Sequence, residues 1–410
     1  MLAINGGEKV RDIPFPKRRL FRQKEKEVVT MLFDRAIETG EAIGYNGEQE
    51  REYEKDFARF MGGGYADLVN SGTSALYVAL GALKLPVGGE VVVPPITDPG
   101  GVMPVALLCN VPVIADAAEG TFNTSAEMIE SVITPHTNAI IVAHIAGEPV
   151  DMDPILELAN SHGIPIVEDC AQAHGACYKN TLVGKFGTVA AFSTMSGKHH
   201  ATGPQGGVVF SRDPDIVAEA KRFADRGKPF GLSIGSNVRA GLNLNGNEMS
   251  AAIGRVQIER LPDIIQRRRK IAQEIKEAIA KLDVVFPGRE AGGDGGVYWF
   301  MRFRVDERKI SVSKDDFAEA IKAEGIPVTN SYRHLPSESN WFRNRCVFPG
   351  SDYPWGLQSY KGLRDQQFSC ENAIRASEQH FILSIHEEFG SDEVTDIADA
   401  FKKVEAAFII

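Results

Sequence analysis

The segment Ile166-Val-Glu-Asp-Cys-Ala-Gln-Ala-His-Gly175 reads as a short apolar strand that stops at an acid, Asp169, with an amide, Gln172, three residues on. Open α/β sheets bind ligands beyond the carboxyl ends of their strands, so these polar groups stand where such a sheet would put a site. The same texture extends outward in both directions. Between Asp67 and Ser211 the candidate strands are Asp67–Asn70, Glu90–Val93, Val111–Ala115, Ala139–Ala143, Pro165–Glu168, Val189–Ser193 and Gly207–Ser211. Several are rich in β-branched residues and apolar throughout, the pattern of strands buried on both faces of a mostly parallel sheet. Helical patterns at Ser74–Leu83, Ala126–Ile133 and Pro154–Ser161 lie between them, so βαβ units are the expected topology. The fold class is α/β with a seven-stranded, mostly parallel sheet.

After about Gly254 the pattern changes. A long helical stretch, Asp263 to Leu282, precedes a glycine-rich loop (Gly292–Gly296), a strand candidate Val297–Val305 and a helix Lys314–Glu324. This divides the 410 residues into a large domain with an N-terminal arm (1–262) and a smaller α+β C-terminal domain (263–410). The basic run Arg267–Lys270 sits on the long helix and reads as its solvated face. With 45 Lys+Arg against 55 Asp+Glu, a net charge of −10, neither a nucleic-acid backbone nor an anionic membrane is an expected partner. Five cysteines without CxxC spacing argue against a disulfide framework or structural zinc and fit a reducing, cytoplasmic location. No run approaches the roughly 20 apolar residues that span a bilayer.

Three further features bear on chemistry. Leu68-Val-Asn-Ser-Gly-Thr-Ser-Ala-Leu76 runs from a strand directly into a helix. Free amides at that helix start, with Gly72 and the hydroxyls of Thr73 and Ser74, could cradle a phosphate; ordinary capping by Ser or Thr explains the same residues equally well. No Walker A motif and no GxGxxG occurs between a strand and a helix, which disfavours a nucleotide loop of either kind. Ala191-Phe-Ser-Thr-Met-Ser-Gly-Lys198 leaves another strand and ends on a lysine in a glycine-flanked turn. A phosphate nest, an acid and a lysine are the parts that pyridoxal phosphate (PLP) requires. The lysine amine condenses with the cofactor aldehyde and later moves a proton, while the acid keeps the pyridine nitrogen protonated.

Those motifs, together with Asn5-Gly6-Gly7, Glu90-Val-Val-Val-Pro-Pro95, Val142-Ala-His-Ile-Ala-Gly-Glu-Pro-Val-Asp-Met152, Gly206-Gly207 and Asn247-Glu-Met-Ser-Ala-Ala252, resemble the StrS/DegT-type sugar aminotransferases, PLP enzymes of fold type I. The likeness covers nearly the whole chain. It implies that Lys198 is the cofactor-binding lysine, Asp169 the partner of the pyridine nitrogen and Gln172 that of the ring hydroxyl. Gly72, Thr73, Ser74 and Ser193 then surround the phosphate. Asn243 falls where the family reaches into a neighbouring subunit's phosphate site, which implies a homodimer with shared active sites. The implied reaction moves an amino group from glutamate or glutamine to a keto-sugar, nucleotide-linked, or to a keto-cyclitol. The resemblance also admits two other activities: a PLP-dependent sugar dehydratase, whose relatives carry histidine in place of Lys198, and a PLP- or sugar-binding sensor without turnover.

The chain departs from the family pattern at three points. Asp98 stands where an aromatic residue usually stacks on the cofactor, Gly203-Pro-Gln-Gly-Gly207 replaces an acid-containing loop, and Asn245 replaces an arginine. The last two, like Asp98, are expected on the substrate side of the pocket. His174 is expected to be structural, and His199 and His200 to form a polar lining of the cofactor pocket; no metal site is expected, because no third ligand accompanies them. Tyr332, Arg333 and His334 match loosely where relatives contact the sugar or the donor carboxylate.

Overall fold

The structure is a computed structural model that describes residues 1–410. Its centre is a seven-stranded sheet in the order β1-β9-β8-β5-β4-β2-β3, built from β1 (Tyr65–Val69), β2 (Glu90–Val93), β3 (Val111–Ile114), β4 (Thr137–Ala143), β5 (Ile166–Asp169), β8 (Val189–Ser193) and β9 (Gly207–Ser211). A two-stranded hairpin, β6 (Cys177–Tyr178) and β7 (Thr181–Leu182), lies outside it. Pairing is parallel from β8 through β5, β4 and β2 to β3, while β9 runs antiparallel to both β1 and β8. The sheet is therefore mostly parallel, as expected. Every residue of β2, β3, β5, β8 and β9 is buried, which explains why these strands lack polar alternation. The register brings Asp169 beside Ala191, and Gly207 beside both Ser193 and Val69. One edge of the sheet thus collects the ends of β1, β5 and β8 and the start of β9.

Helix Gly72–Ala82 leaves β1 and is apolar almost all round, with Ala75, Leu76, Val78, Ala79 and Leu80 buried. Two helices differ from their sequence patterns. The one expected over 126–133 ends at Glu130, because the β-branched Val132-Ile133-Thr134 precedes Pro135, and a residue before proline avoids the helical region. The long helix begins fifteen residues sooner than the pattern suggested and spans Glu248–Ile279. Asn247 caps it by accepting from the Ser250 N–H (2.9 Å), and it continues through Pro262. Gly254 and Pro262 weaken its signal in the sequence, but tertiary packing overrides them. Ala251, Ala252, Leu261 and Ile275 are buried along its length.

Beyond this helix an antiparallel sheet, β10-β11-β13-β12, is formed by β10 (Val285–Pro287), β11 (Met301–Val305), β12 (Val328–Thr329) and β13 (His380–Leu383). Helices Lys314–Ala323 and Ser391–Phe408 complete this α+β part, whose core holds Phe303, Phe317, Phe381 and Phe401. The N-terminal arm crosses it: Arg11 pairs with Glu393 (2.7 Å) and Asp396 (2.6 Å). All five cysteines are free thiols. No helix is long and apolar enough to cross a membrane.

Candidate active site

The phosphate-cradle candidates sit at the exit of β1. Ser71 is the N-cap of helix Gly72–Ala82, its hydroxyl accepting from the Ser74 N–H (3.1 Å), while the Ser74 hydroxyl donates to Asn70 Oδ1 (2.6 Å). Capping is therefore present, and it is performed by Ser71. Glycine is required here by close approach. A Cβ on Gly72 would lie 2.5 Å from the Ser193 Cβ, and one on Gly207 would lie 2.2 Å from the Ser71 carbonyl oxygen. These contacts press the end of β8 against the helix start, so that Ser193 and Thr73 flank its amides. Neither of their hydroxyls has a hydrogen-bond partner within the chain, in contrast to Ser71 and Ser74, which also bond each other (2.9 Å).

Asp169 ends β5 with 7% exposure. Its Oδ1 accepts from the Ala171 N–H (3.0 Å), and its other oxygen has no donor in the chain. Burial raises its pKa above the usual carboxylate range, against the pull of that N–H and of Lys198 and His144. Gln172 is fixed at both ends of its amide: Oε1 accepts from the Ala146 N–H (2.8 Å) and Nε2 donates to the Tyr332 hydroxyl (2.9 Å).

Lys198 is 7% exposed and forms no ion pair. Its Nζ lies 3.9 Å from the centre of the Trp299 ring. Burial lowers its pKa to about 8, while Asp169 and Asp98 draw it upward. The loop that carries it is held from two sides. Trp299 Nε1 donates to the Gly197 carbonyl (3.1 Å), and Arg18 donates to the carbonyls of Gly197 (3.1 Å) and His199 (3.2 Å) while pairing with Glu387 (2.9 Å). A lysine whose proton is loosened by burial, facing a carboxylate with a free oxygen, suits nucleophilic and proton-transfer chemistry.

Sequence reasoning did not find Trp299 or Arg18. Their only signal is an aromatic in a short strand-like run and an arginine in an irregular arm, and neither pattern names a partner so distant in the chain. Tyr332 was recognised, and its contact with Gln172 places it at the site. Arg333 is instead committed to Glu338 through two hydrogen bonds (3.0 and 2.6 Å). The expectation for His199 and His200 fails: both are wholly buried and line no open pocket. His199 Nε2 meets the Val297 carbonyl (3.1 Å) and His200 Nε2 the Tyr53 hydroxyl (2.9 Å), so they anchor the loop from behind. His174 is structural in its contacts, with Nε2 donating to the Ser193 carbonyl (2.8 Å). Asn243 is exposed, with its Oδ1 accepting from Asn245 Nδ2 (2.7 Å), and no hydrogen bond joins it to the other site residues. Asp98 Oδ1 accepts from the Gly100 N–H (2.9 Å), and its carboxylate lies close enough to act on both Lys198 and Tyr332.

A doubly wound large domain with a lysine, an acid and a helix-start cradle at one sheet edge defines a fold-type-I transferase architecture. Comparison with known proteins narrows the class. The model of the DegT/DnrJ/EryC1/StrS aminotransferase family matches residues 24–402, and the chain belongs to this family. It is 31% identical over 356 residues to GDP-perosamine synthase of Escherichia coli O157:H7, covering 85% of this chain and 94% of that one. It is 31% identical over 319 residues to GDP-perosamine synthase of Caulobacter vibrioides (74% and 84%). Among solved structures, an aminotransferase from Psychrobacter cryohalolentis superposes with a TM-score of 0.83 at 29% identity, covering 96% of this chain and 99% of that one. DesV of S. venezuelae gives 0.78 at 26% identity (93% and 94%). The chain is an enzyme of the aminotransferase class.

Proposed function

We propose that this enzyme transfers an amino group from glutamate or glutamine to a keto-sugar, nucleotide-linked, or to a keto-cyclitol, using PLP held at the edge of the large sheet. The observation that carries this reading is the convergence of Lys198, with its lowered pKa, and Asp169, with its free oxygen, beside the Gly72–Ser193 cradle. The residues fit the cofactor. Thr73 and Ser193 offer uncommitted hydroxyls beside the N-terminus of a helix, which suits a phosphate, and Ser74 would join them by turning its hydroxyl away from Asn70. The open Asp169 oxygen suits a protonated ring nitrogen, and Gln172, pinned by Tyr332 and Ala146, is positioned for a ring hydroxyl.

PLP, when bound, supplies an electron sink for the carbon that carries the amine. Asp169 would keep the proton on the ring nitrogen. Lys198 would hold the cofactor through its Nζ, and as the free amine it would serve as the base and acid that moves a proton at the donor α-carbon. Trp299 faces Nζ and, with Arg18, holds the loop so that the freed amine stays within reach. Lysine at position 198, where dehydratase relatives carry histidine, favours amino transfer over dehydration. We further propose a homodimer in which the exposed Asn243 reaches the partner's cradle, a division into domains near residue 262, and a cytoplasmic location.

The test is spectroscopic. Purified protein loaded with PLP should lose its visible absorbance on adding glutamate or glutamine and regain it with the correct keto-sugar. No donor-dependent change would reduce the protein to a sensor, and keto-deoxysugar formed without donor would make it a dehydratase.

A further inference from the structure

A second cleft, of about 730 Å³, opens between the small domain and the loop Glu119–Gly120 of the large domain. It shares no residue with the Lys198 crevice. A chain of contacts runs from one to the other: Tyr332 lies against the wholly buried Phe122 ring (6.5 Å), and Arg302, locked to Glu148, lies over that ring (4.8 Å) and donates to the Arg289 carbonyl (2.8 Å). Arg289 lines the second cleft.

The cleft is walled by arginines from separate elements: Arg289 from the loop after β10, Arg304 from β11 and Arg375 from helix Glu371–Gln379. None of the three has a carboxylate within ion-pair distance, unlike Arg308, which Asp306 neutralises through two bonds (2.8 and 3.0 Å). Arg302 and Arg304 share one face of β11. The large domain covers the first with Glu148 and stops short of the second, leaving it exposed. The Arg304 guanidinium is oriented by its cross-strand neighbour Phe286, whose ring centre lies 5.2 Å away. Of the two remaining acids in the lining, Glu307 accepts from the Lys314 N–H (2.7 Å), and Glu119 offers its carbonyl to Arg289 (3.2 Å). Four arginines and three acids give the lining a net charge of +1 in a chain whose total is −10.

Three guanidiniums without a carboxylate partner, lining one cavity, present fork-shaped donors matched to phosphate oxygens. We propose that this cleft binds a phosphorylated small molecule carrying at least two negative charges, held by Arg289, Arg304 and Arg375. This site does not depend on the reading of Lys198.

The test is calorimetric titration of inorganic pyrophosphate into the PLP-loaded protein. We expect one pyrophosphate bound per chain, weakened as salt rises from about 50 to about 200 mM. In R304A/R375A the affinity should fall at least tenfold, with R304K/R375K between the two, while the visible absorbance of the cofactor stays unchanged. These arginines are exposed and unpaired, so the melting temperature should hold; should it not, R289A gives the same comparison. UDP supports the site whether it competes with pyrophosphate, which makes a nucleotide the source, or fails to compete, which leaves a simpler polyphosphate. No binding, or binding that R304A/R375A leaves intact, overturns the proposal, the latter because the anion then sits in the Lys198 crevice or elsewhere.

Discussion

Glu168 and Asp169 are neighbours on β5, both buried, and they face opposite sides of the central sheet. Glu168 spends both its oxygens on the protein. It accepts from the N–H groups of Gly184 (2.6 Å), Phe186 (2.7 Å) and Gly187 (2.6 Å), and from His144 Nε2 (3.2 Å). The His144 tautomer is set by its other nitrogen, which accepts from the Val150 N–H (3.1 Å). Asp169 accepts one N–H and leaves an oxygen open to the crevice that holds Lys198. A buried carboxylate whose acceptor positions are filled holds structure together, whereas one left partly unsatisfied is available for chemistry. The same contrast separates Ser71, which caps a helix, from Ser193, which caps nothing.

Changes on the open side of the sheet should cost turnover. Lys198→Ala should lower amino transfer by on the order of 10⁴-fold or more, as loss of a reacting nucleophile does, with cofactor absorbance shifted away from that of the lysine-bound form. Asp169→Asn removes a charge-assisted hydrogen bond worth roughly 2–5 kcal/mol, so kcat should drop by about 30-fold to about 5,000-fold. Its melting temperature should stay within a few degrees of the parent, and a large fall would erase the distinction between the two acids. Glu168→Gln should behave in the reverse way. An amide cannot accept at every position that Glu168 fills, and leaving buried donors unpaired should cost about 3–5 kcal/mol in denaturant unfolding, while the folded fraction retains its kcat.

Acid sharpens the same contrast on the histidine side. Burial holds the His174 imidazolium down to about 3, whereas an unfolded chain takes that proton near the ordinary value of about 6.5. Between these values the unfolded state binds more protons, so stability should decline as pH falls from about 6.5 toward 3. His174→Gln should flatten that slope in melting curves recorded against pH. The smallest effect is expected at the edge of the crevice. Tyr332→Phe removes one hydrogen bond to Gln172, of about 1 kcal/mol, and should lower kcat/KM several-fold, because Ala146 still holds the other end of the amide.

The seven strands of the large sheet were legible within two residues at each end, because strands buried on both faces must be apolar at every position. The acid, amide and lysine were legible because they follow such strands directly. The shortest strands, β6, β7, β10 and β12, were not, since two or three residues carry no period. Nor were Trp299 and Arg18, whose importance lies in what they touch across the fold. Local sequence determined which residues end strands and start helices, hence the position of Asp169, Gln172, Ser193 and Lys198 along one sheet edge. Only the tertiary structure decided which of the adjacent acids keeps a free oxygen, that His199 and His200 lie behind the lysine loop, and that three arginines from separate elements share one cleft. Hydrogen-bond satisfaction and burial depend on segments far apart in the chain, and no local pattern encodes them.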